Sequence, residues 1–424
     1  MWLPLALALA WWLAMYPGLF GEDSLITLHE VRSGSITVWF TAWWALIVDA
    51  LSAGTRVIPF VTLAGVMIFT WSVRDWAVAT WPEGRARTIA IAVMCATPLV
   101  GGLGIQLRHD AWMTAGFLFG LSAMARAQQH GRLDGTDIVR LVAAVVLIPT
   151  RHNGLGTLVL AAIIGLAAVQ DRKRFAAAFL AVAVGVFAVG QVATRIIGQP
   201  HSVDPVQAVE WMMADVSCLA ADPAVQLTDE EWARIEPIAN RADWSQPVAC
   251  RFVSPLLIAP SFQSTQVESH MAGLAGTWWS LARRYPARFA YVHARRVNLF
   301  LPPFVGGIPQ QTQTPFIHST ILQNGFGLEW AFPRVAELAR QPMRAWNAMR
   351  AVLANAAIWL IALVVIAWKA RDMRTRLMPT IVTCVALELG LLATAPIAEG
   401  RYGLLILVTG QLSVLTIALG RRPA

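Results

Sequence analysis

Charged side chains suited to acid–base and phosphate chemistry stand directly after apolar runs in this sequence. They are Glu22 and Asp23, then Arg108, His109 and Asp110, then Arg151, His152 and Asn153, and finally Glu399 and Arg401. A carboxylate beside a hydroxyl can accept its proton during attack, which is general-base catalysis. A guanidinium group can bind two phosphate oxygens at once and offset charge that grows in a transition state. This combination predicts group transfer from a phosphate-linked donor.

The two roles fall on different residues. We assign the general base to Asp23, with Glu22 beside it. The candidates for holding the departing phosphate are basic side chains from three separate loops: Arg108, His109, Arg151, His152 and Arg401.

Two other uses of the same residues remain open. Carboxylates bind Mg²⁺ or Mn²⁺ well, so a divalent cation could be held by Glu22, Asp23 and Asp110. Ion pairing alone could also explain the charges, because charges at the edge of a bilayer need partners in any case. The pairs would then be Asp110 with Arg108 or Arg151, and Glu399 with Arg401.

The composition is that of a protein with many membrane spans. Hydrophobic residues make up 57% of the 424 and charged residues 14%, whereas soluble proteins carry about a quarter charged residues. The formal charge is +8, but the cations crowd into short gaps between apolar runs, as in cytoplasmic loops. Nucleic acid is therefore excluded as the expected partner, and membrane lipid is favoured.

Ten apolar segments are read as transmembrane helices, of which the fifth is short. They lie near 3–20, 57–73, 88–107, 111–126, 138–151, 154–170, 175–197, 351–368, 378–396 and 403–420. The start of the chain lacks a basic stretch and a small-residue cleavage site, which favours an uncleaved first span.

The short loops orient these spans. Loops 74–87, 127–137, 171–174 and 369–376 and the tail are basic, so the positive-inside rule places them and both termini in the cytoplasm. The charged clusters then share the outer face of a cytoplasmic (inner) membrane. Residues 36–51 are also apolar, but their helical spacing predicts an amphipathic helix lying in the outer interface rather than an eleventh span.

The sequence divides into three predicted regions. Residues 1–197 form a first transmembrane module of about seven spans with an external loop at 21–56, 198–350 form a mainly helical extracytoplasmic segment, and 351–424 form a second module of about three spans. Within the external segment, Thr228 and Glu231 have the spacing of a helix-capping box. Cys218 and Cys250 fall there too, and an oxidising compartment would allow a disulfide between them.

The ordered motifs resemble a known superfamily. YPGLFGEDS after the first span, LRHDAW, PTRHNGL, RRYPARFAYVHARRVNLFLPP and AEGRYGLL together resemble the GT-C membrane glycosyltransferases, most closely an uncharacterised bacterial branch. That resemblance implies an all-α polytopic bundle with interfacial helices in the first external loop. It implies an inverting transfer of sugar from a polyprenyl-phosphate donor to a cell-envelope glycan, lipid or protein.

Site residues follow from the same resemblance. It implies that Asp23 faces the acceptor and that the donor cleft is lined by Arg108, Asp110, Arg151, Asn153, Glu399, Arg401 and Tyr402. One departure is the stretch TVWFTAWW at 37–44, where the branch usually has a histidine-proline pair. A second basic group, formed by His270, Arg283, Arg284, Tyr285 and Pro286, is read as a contact for lipid phosphate.

A transporter or flippase of a lipid-linked sugar would share the helices and the polar cavity. Transporters often carry inverted repeats and interrupted helices near the midplane. The sequence shows no such repeat, and its polar residues gather at one interface, which favours the enzyme.

Overall fold

A computed structural model describes residues 2–36, 41–198, 205–246, 254–295, 326, 328, 330–394 and 403–420. Within these ranges the regular structure is helical, and an isolated bridge joins Leu19 to Gln106. The chain divides into two compact units. The first comprises Met1–Pro200, Gly307–Leu387 and Arg401–Ala424, and the second His201–Gly306 and Glu388–Gly400.

Each of the first seven predicted apolar segments contains a helix. The helices up to residue 200 are α1 (Leu3–Ala14), α2 (Glu22–Ser33), α3 (Ala42–Ser52), α4 (Pro59–Thr80), α5 (Arg85–Ala96), α6 (Gly101–Gly104), α7 (His109–His130), α8 (Gly135–Leu147), α9 (Asn153–Ala168) and α10 (Arg172–Ile197). A 3₁₀ turn at Ile148–Thr150 follows α8. Helix ends carry local signals: Asp134 caps α8 through the Asp137 amide, and Gly131 ends α7 at φ +70°.

The later helices of the first unit begin at residue 333, and the first of them lies within the predicted external region 198–350. They are α17 (Pro333–Ala348), α18 (Arg350–Leu353), α19 (Ala356–Lys369), α20 (Arg371–Thr394), whose last turns fall in the second unit, and α21 (Leu404–Gly420). All ten apolar segments therefore contain helix. One helix in the described ranges, α10, is both long and apolar enough to cross a membrane by length and composition, so the ten crossings stay a prediction.

The second unit is helical as well. Its helices are α11 (Pro205–Ala220), α12 (Asp229–Ile235), α13 (Arg241–Trp244), α14 (Ser254–Leu257), α15 (Ser264–Arg284) and α16 (Pro286–Arg295). The predicted capping box is confirmed: the Glu231 amide donates to Thr228 Oγ1 at 3.2 Å, and the Thr228 amide donates to Glu231 Oε2 at 2.8 Å.

The amphipathic segment predicted near 36–51 is a helix from Ala42, and residues 37–40 lie outside the described ranges. Thr41 Oγ1 caps it by accepting from the Trp44 amide at 3.2 Å. Trp44 and Val48 are buried, whereas Asp49 is exposed.

Candidate active site

A short backbone pairing brings two distant loops together in the first unit. The Leu19 amide donates to the Ile105 carbonyl at 3.2 Å, and the Leu107 amide donates to the Leu19 carbonyl at 3.0 Å. Ser24 extends the pairing, since its hydroxyl donates to the Leu107 carbonyl at 2.8 Å and accepts from the Gly21 amide at 3.0 Å. The start of α2 is thereby fixed beside the segment that leads into α7.

The loop before α2 depends on a glycine. Gly18 has φ +136°, and a Cβ there would lie 2.5 Å from Thr62 Cγ2, so a side chain would meet both backbone strain and a clash. Thr62 holds this loop because its hydroxyl donates to the Pro17 carbonyl at 2.7 Å. The Trp12 indole donates to the same hydroxyl at 3.1 Å, which ties α1 to α4.

Asp23 and Arg108 form an ion pair across these loops. The distance from Arg108 Nη2 to Asp23 Oδ2 is 3.5 Å, and the side chains are 9% and 25% exposed respectively. Asp23 is the second residue of α2, and Arg108 is the N-cap residue of α7. Both charges thus project from helix starts rather than from the middle of a helix.

Asp110 is the centre of a second pair. It forms an ion pair with Arg151, and its Oδ2 lies 3.6 Å from His109 Nδ1. Asp110 is buried in the first turn of α7, where the helix dipole favours a negative charge. Thr150 Oγ1 donates to the His109 carbonyl at 3.4 Å, which holds the loop carrying Arg151 against α7.

An aromatic wall supports this pair. Trp44 of α3 stacks on His109 with a centroid distance of 6.2 Å and an interplanar angle of 30°. Trp44 also meets Trp112 edge-on at 5.7 Å, and the Trp43 indole donates to the Val146 carbonyl at 2.6 Å. The helix expected at a lipid interface therefore also packs behind the charged residues.

The structure brings together five of the predicted site residues: Asp23, Arg108, His109, Asp110 and Arg151. Asn153 begins α9 with a buried side-chain oxygen, whereas His152 is exposed at the start of that helix. Glu22 begins α2. The predicted site residues that lie outside the described ranges are Glu399, Arg401 and Tyr402.

Three further residues near these elements were not predicted from the sequence. Glu30 is a buried carboxylate on the same face of α2 as Asp23, seven residues later, and Thr27 lies between them. Gln106 is buried in the bridging segment, and Trp44 is the stacking partner of His109. The i, i+4, i+7 spacing of Asp23, Thr27 and Glu30 was the available signal for the first.

No group of three or more His, Cys, Asp or Glu side chains in the described ranges is placed to hold a metal ion. Cys95 and Cys384 are free and buried. Cys218 is disulfide-bonded, and its predicted partner Cys250 lies outside the described ranges. That pairing stays a prediction.

The basic group in the second unit is largely paired within that unit. Arg284 forms an ion pair with Glu231. Burial raises the pKa of Glu231, but hydrogen bonds from Ser280, Thr228 and Arg284 outweigh it and leave the pKa below the usual range. Nearby, Asp215 is fully buried, and its Oδ2 accepts from the Trp278 indole at 2.9 Å and lies 2.8 Å from His293 Nδ1.

The lipid-phosphate prediction for this group stays a prediction. Arg283 lies over the Trp279 ring at 5.1 Å. The Tyr285 hydroxyl accepts from the Gln226 amide at 3.2 Å, and His270 Nδ1 lies 3.0 Å from the Gln266 carbonyl oxygen.

Comparison with known proteins gives one structural likeness. No protein-family model matches the chain, and none of the curated proteins matches it. Among solved structures it is similar to the archaeal oligosaccharyltransferase AglB from Archaeoglobus fulgidus, which was solved with an inhibitory peptide and a dolichol-phosphate. The identity is 13% and the TM-score 0.41, over 100% of this chain and 52% of that one. The chain thus spans about half the length of the protein that it resembles.

Proposed function

We propose that this protein is a membrane glycosyltransferase that moves a sugar from a polyprenyl-phosphate donor to an acceptor outside the cytoplasmic membrane. The observation that carries the proposal is the joining of Asp23 to Arg108, with the Asp110–Arg151 pair beginning two residues later on the same helix. A carboxylate and two guanidinium groups are what a reaction that removes a proton and releases a phosphate requires. The motif resemblance to GT-C enzymes supports the same chemistry.

The membrane setting is supported by apolar side chains that face outward from the first unit. On α10, Val184 is 69% exposed and Ile196 64%, and Phe187 and Val192 are also exposed. Apolar surface of this extent is unfavourable in water and is expected where a protein meets lipid or a partner. Exposed apolar residues recur on α1, α8, α9 and α19, which favours lipid around the whole unit.

The charged loops place the site outside the cytoplasm in this proposal. Clustered cations follow α4 (Arg85 and Arg87) and α9 (Arg172, Lys173 and Arg174), and such loops stay cytoplasmic. Asp23 lies at the start of α2 and Arg108 immediately before α7, away from these cation clusters along the chain. The donor and acceptor are therefore proposed to meet at the outer face, with a glycan, a lipid or a protein as acceptor.

The proposed reaction is a single displacement. The acceptor hydroxyl oxygen forms a bond to the anomeric carbon of the sugar, while the bond from that carbon to the phosphate oxygen breaks. The hydroxyl proton passes to the Asp23 carboxylate, and the bonding electrons leave with polyprenyl phosphate. Attack from the face opposite the departing phosphate inverts the configuration at that carbon.

The arginines act on the departing phosphate. Negative charge grows on the phosphate oxygen as the bond breaks, and a guanidinium group already in place offsets it without rearrangement. Arg108 is held by Asp23 in the structure, so we propose that bound donor phosphate shares or replaces this contact. Arg151 is oriented by Asp110, with His109 beside it.

The remaining predicted residues complete the proposed cleft. Glu399, Arg401 and Tyr402 keep the roles that the motif resemblance implies for them, and Asn153, His152 and Glu22 keep those predicted from the sequence. A divalent cation bound through Glu22, Asp23 and Asp110 is the alternative use of these carboxylates.

A transfer assay tests the proposal. Purified full-length protein in sealed lipid vesicles would receive polyprenyl phosphates carrying radiolabelled sugars, with candidate acceptors on either side. The proposal expects label to leave the lipid for the acceptor and an equal amount of polyprenyl phosphate to appear. Movement of intact donor between leaflets without cleavage would contradict it and identify a flippase.

A further inference from the structure

Helix α17 carries an exposed apolar stripe along its whole length. Its members recur every three or four residues, which places them on one face: Val335, Leu338, Pro342, Ala345 and Met349, the last one residue past the helix. Leu338 is 64% exposed and Met349 55%. The helix is 16 residues long, so the stripe extends for about 24 Å at 1.5 Å per residue.

A second face of α17 is anchored in the first unit. Ala336 and Met343 are buried in one hydrophobic cluster with Ala8 and Met15. The Ala331 amide, just before the helix, donates to the Tyr16 carbonyl at 3.1 Å. These contacts fix the rotation of the helix about its axis. The stripe faces outward because the buried contacts lie on the second face, and not because the helix is frayed.

A third face is charged and predominantly basic. The exposed Arg334 and Arg344 and the mostly buried Arg340 outnumber the single acid Glu337, and the exposed Gln341 lies on the same side. Glu337 accepts from Arg340 Nη1 at 2.8 Å and from Arg344 Nη2 at 2.6 Å. This face suits water and anionic groups.

We infer that α17 lies at the outer face of the cytoplasmic membrane, in the interface between lipid and water. Its apolar stripe would lie among lipid acyl chains and its arginines at the level of the lipid phosphates. A helix with separate protein, apolar and cationic faces fits a position along the bilayer surface. The inference rests on the membrane setting of the proposed function, but not on its chemistry. It also reassigns this stretch, which the sequence pattern alone placed in the polar external segment.

Lipid is favoured over a protein partner because helices near the stripe also expose apolar side chains. The apolar helix α19 begins seven residues after Met349, and its Ile361 and Trp368 are strongly exposed. On α1, which packs against α17, Leu9 and Leu13 are exposed as well. A stripe that continues along neighbouring exposed apolar faces is expected of lipid-facing surface, whereas lipid phosphates complement the net positive charge of the third face.

Nitroxide accessibility tests the inference on the full chain. With Cys95 and Cys384 replaced by alanine, single cysteines would be introduced by Leu338→Cys on the stripe and Arg344→Cys on the charged face. Val184→Cys on α10 reports the bilayer. The labelled protein would be placed in phosphatidylcholine–phosphatidylglycerol vesicles, and collision with oxygen, which concentrates in lipid, compared with collision with a water-soluble nickel complex. Ala345→Cys is a second stripe position if Leu338→Cys lowers the yield.

We expect the oxygen-to-nickel ratio at 338 to be severalfold higher than at 344 and close to that at 184. A ratio at 338 equal to that at 344 would overturn the inference, as would shielding from both reagents, which would indicate a second copy or another protein. If 184 reads as lipid-exposed and 338 does not, the inference alone fails. If 184 also reads as aqueous, the membrane setting of the proposed function fails with it.

Discussion

The two ends of α7 carry similar charges in different arrangements. The N-terminal cluster comprises Asp23, Arg108, Asp110 and Arg151, and the C-terminal cluster comprises Asp75, Arg126, Asp137 and Arg140. Asp110 and Arg126 are 16 residues apart, which is about 24 Å of helix. Each cluster thus has two acids and two arginines, so composition alone does not separate them.

Their geometry separates them. At the C-terminal cluster, Arg140 Nε and Nη2 donate to the two oxygens of Asp75 at 2.7 and 3.0 Å, a bidentate pair between the regular helices α4 and α8. At the N-terminal cluster, Arg108 Nη2 lies 3.5 Å from Asp23 Oδ2, and both residues stand at helix starts beside loops. A bidentate pair between two regular helices holds them together, whereas charges at helix starts stand beside the loops, where a ligand can reach them. The first arrangement is expected to serve stability, and the second is expected to serve chemistry.

The largest expected effect is at Asp23. Asp23→Asn keeps the size of the side chain and removes the proton acceptor, so transfer should fall by roughly 100- to 10,000-fold. The thermal unfolding temperature should change little. Asp49→Asn, an exposed acid of the same external loop, is the matched control and should keep its activity. Native activity in the Asp23 variant would remove it from the mechanism.

Next comes Arg108. Arg108→Gln removes a charge that the departing phosphate needs, and the loss in kcat should be about 100- to 1,000-fold. Arg56→Gln, an exposed arginine of the first external loop, controls for charge loss alone. If the Arg108 variant cleaved the donor, by hydrolysis or by transfer, as fast as the Arg56→Gln control, the proposed role of Arg108 would be contradicted.

A substitution in the C-terminal cluster should lower the stability of the protein rather than its activity. Asp75→Asn leaves Arg126 without this carboxylate and Arg140 with Asp137 as its remaining acid, which should cost roughly 1–3 kcal/mol in the free energy of unfolding. Chemical unfolding in detergent measures it. The kcat of the folded fraction should stay near native, and a loss of kcat as large as that of Asp23→Asn would erase the distinction between the two clusters.

The smallest effect is expected at the helix start beside the C-terminal cluster. The Thr136 hydroxyl, and next the Asp137 amide, hold the pKa of Asp134 below its ordinary value of 3.8. Since the folded-state pKa is the lower one, the stabilisation is present above pH 3.8 and is lost as pH falls through the folded-state pKa. Asp134→Ala should lower the unfolding temperature slightly at pH 7, and this difference should disappear in acid. Asp171→Ala is the control: its carboxylate makes no cap hydrogen bond and only an exposed ion pair with Arg174, so the loss should be smaller.

The sequence predicts the helices better than it predicts the contacts between them. Apolar runs and caps are local signals, so α4, α10 and the capping box at Thr228 follow from neighbouring residues. The Asp23–Arg108 pair depends on the Leu19–Gln106 bridge, which joins loops more than 80 residues apart and leaves no local pattern. Asp75 was assigned to a loop because its charge interrupts an apolar run, whereas α4 continues to Thr80 and Arg140 neutralises that charge.

The stripe on α17 shows the reverse case. Its three- and four-residue spacing is present in the sequence, but the second face, which is buried against α1, could not be distinguished from the exposed stripe. Both faces are apolar, and only the packing separates them. Trp44 falls in the segment predicted to lie in the outer interface, although it packs against His109.

The most direct test of the central claim is a double-mutant cycle between Asp23 and Arg108 in the transfer assay. If both side chains act on one transition state at one outer site, Asp23→Asn and Arg108→Gln together should lose little more activity than the worse single variant. Losses that multiply would show two groups working independently and would contradict the shared site.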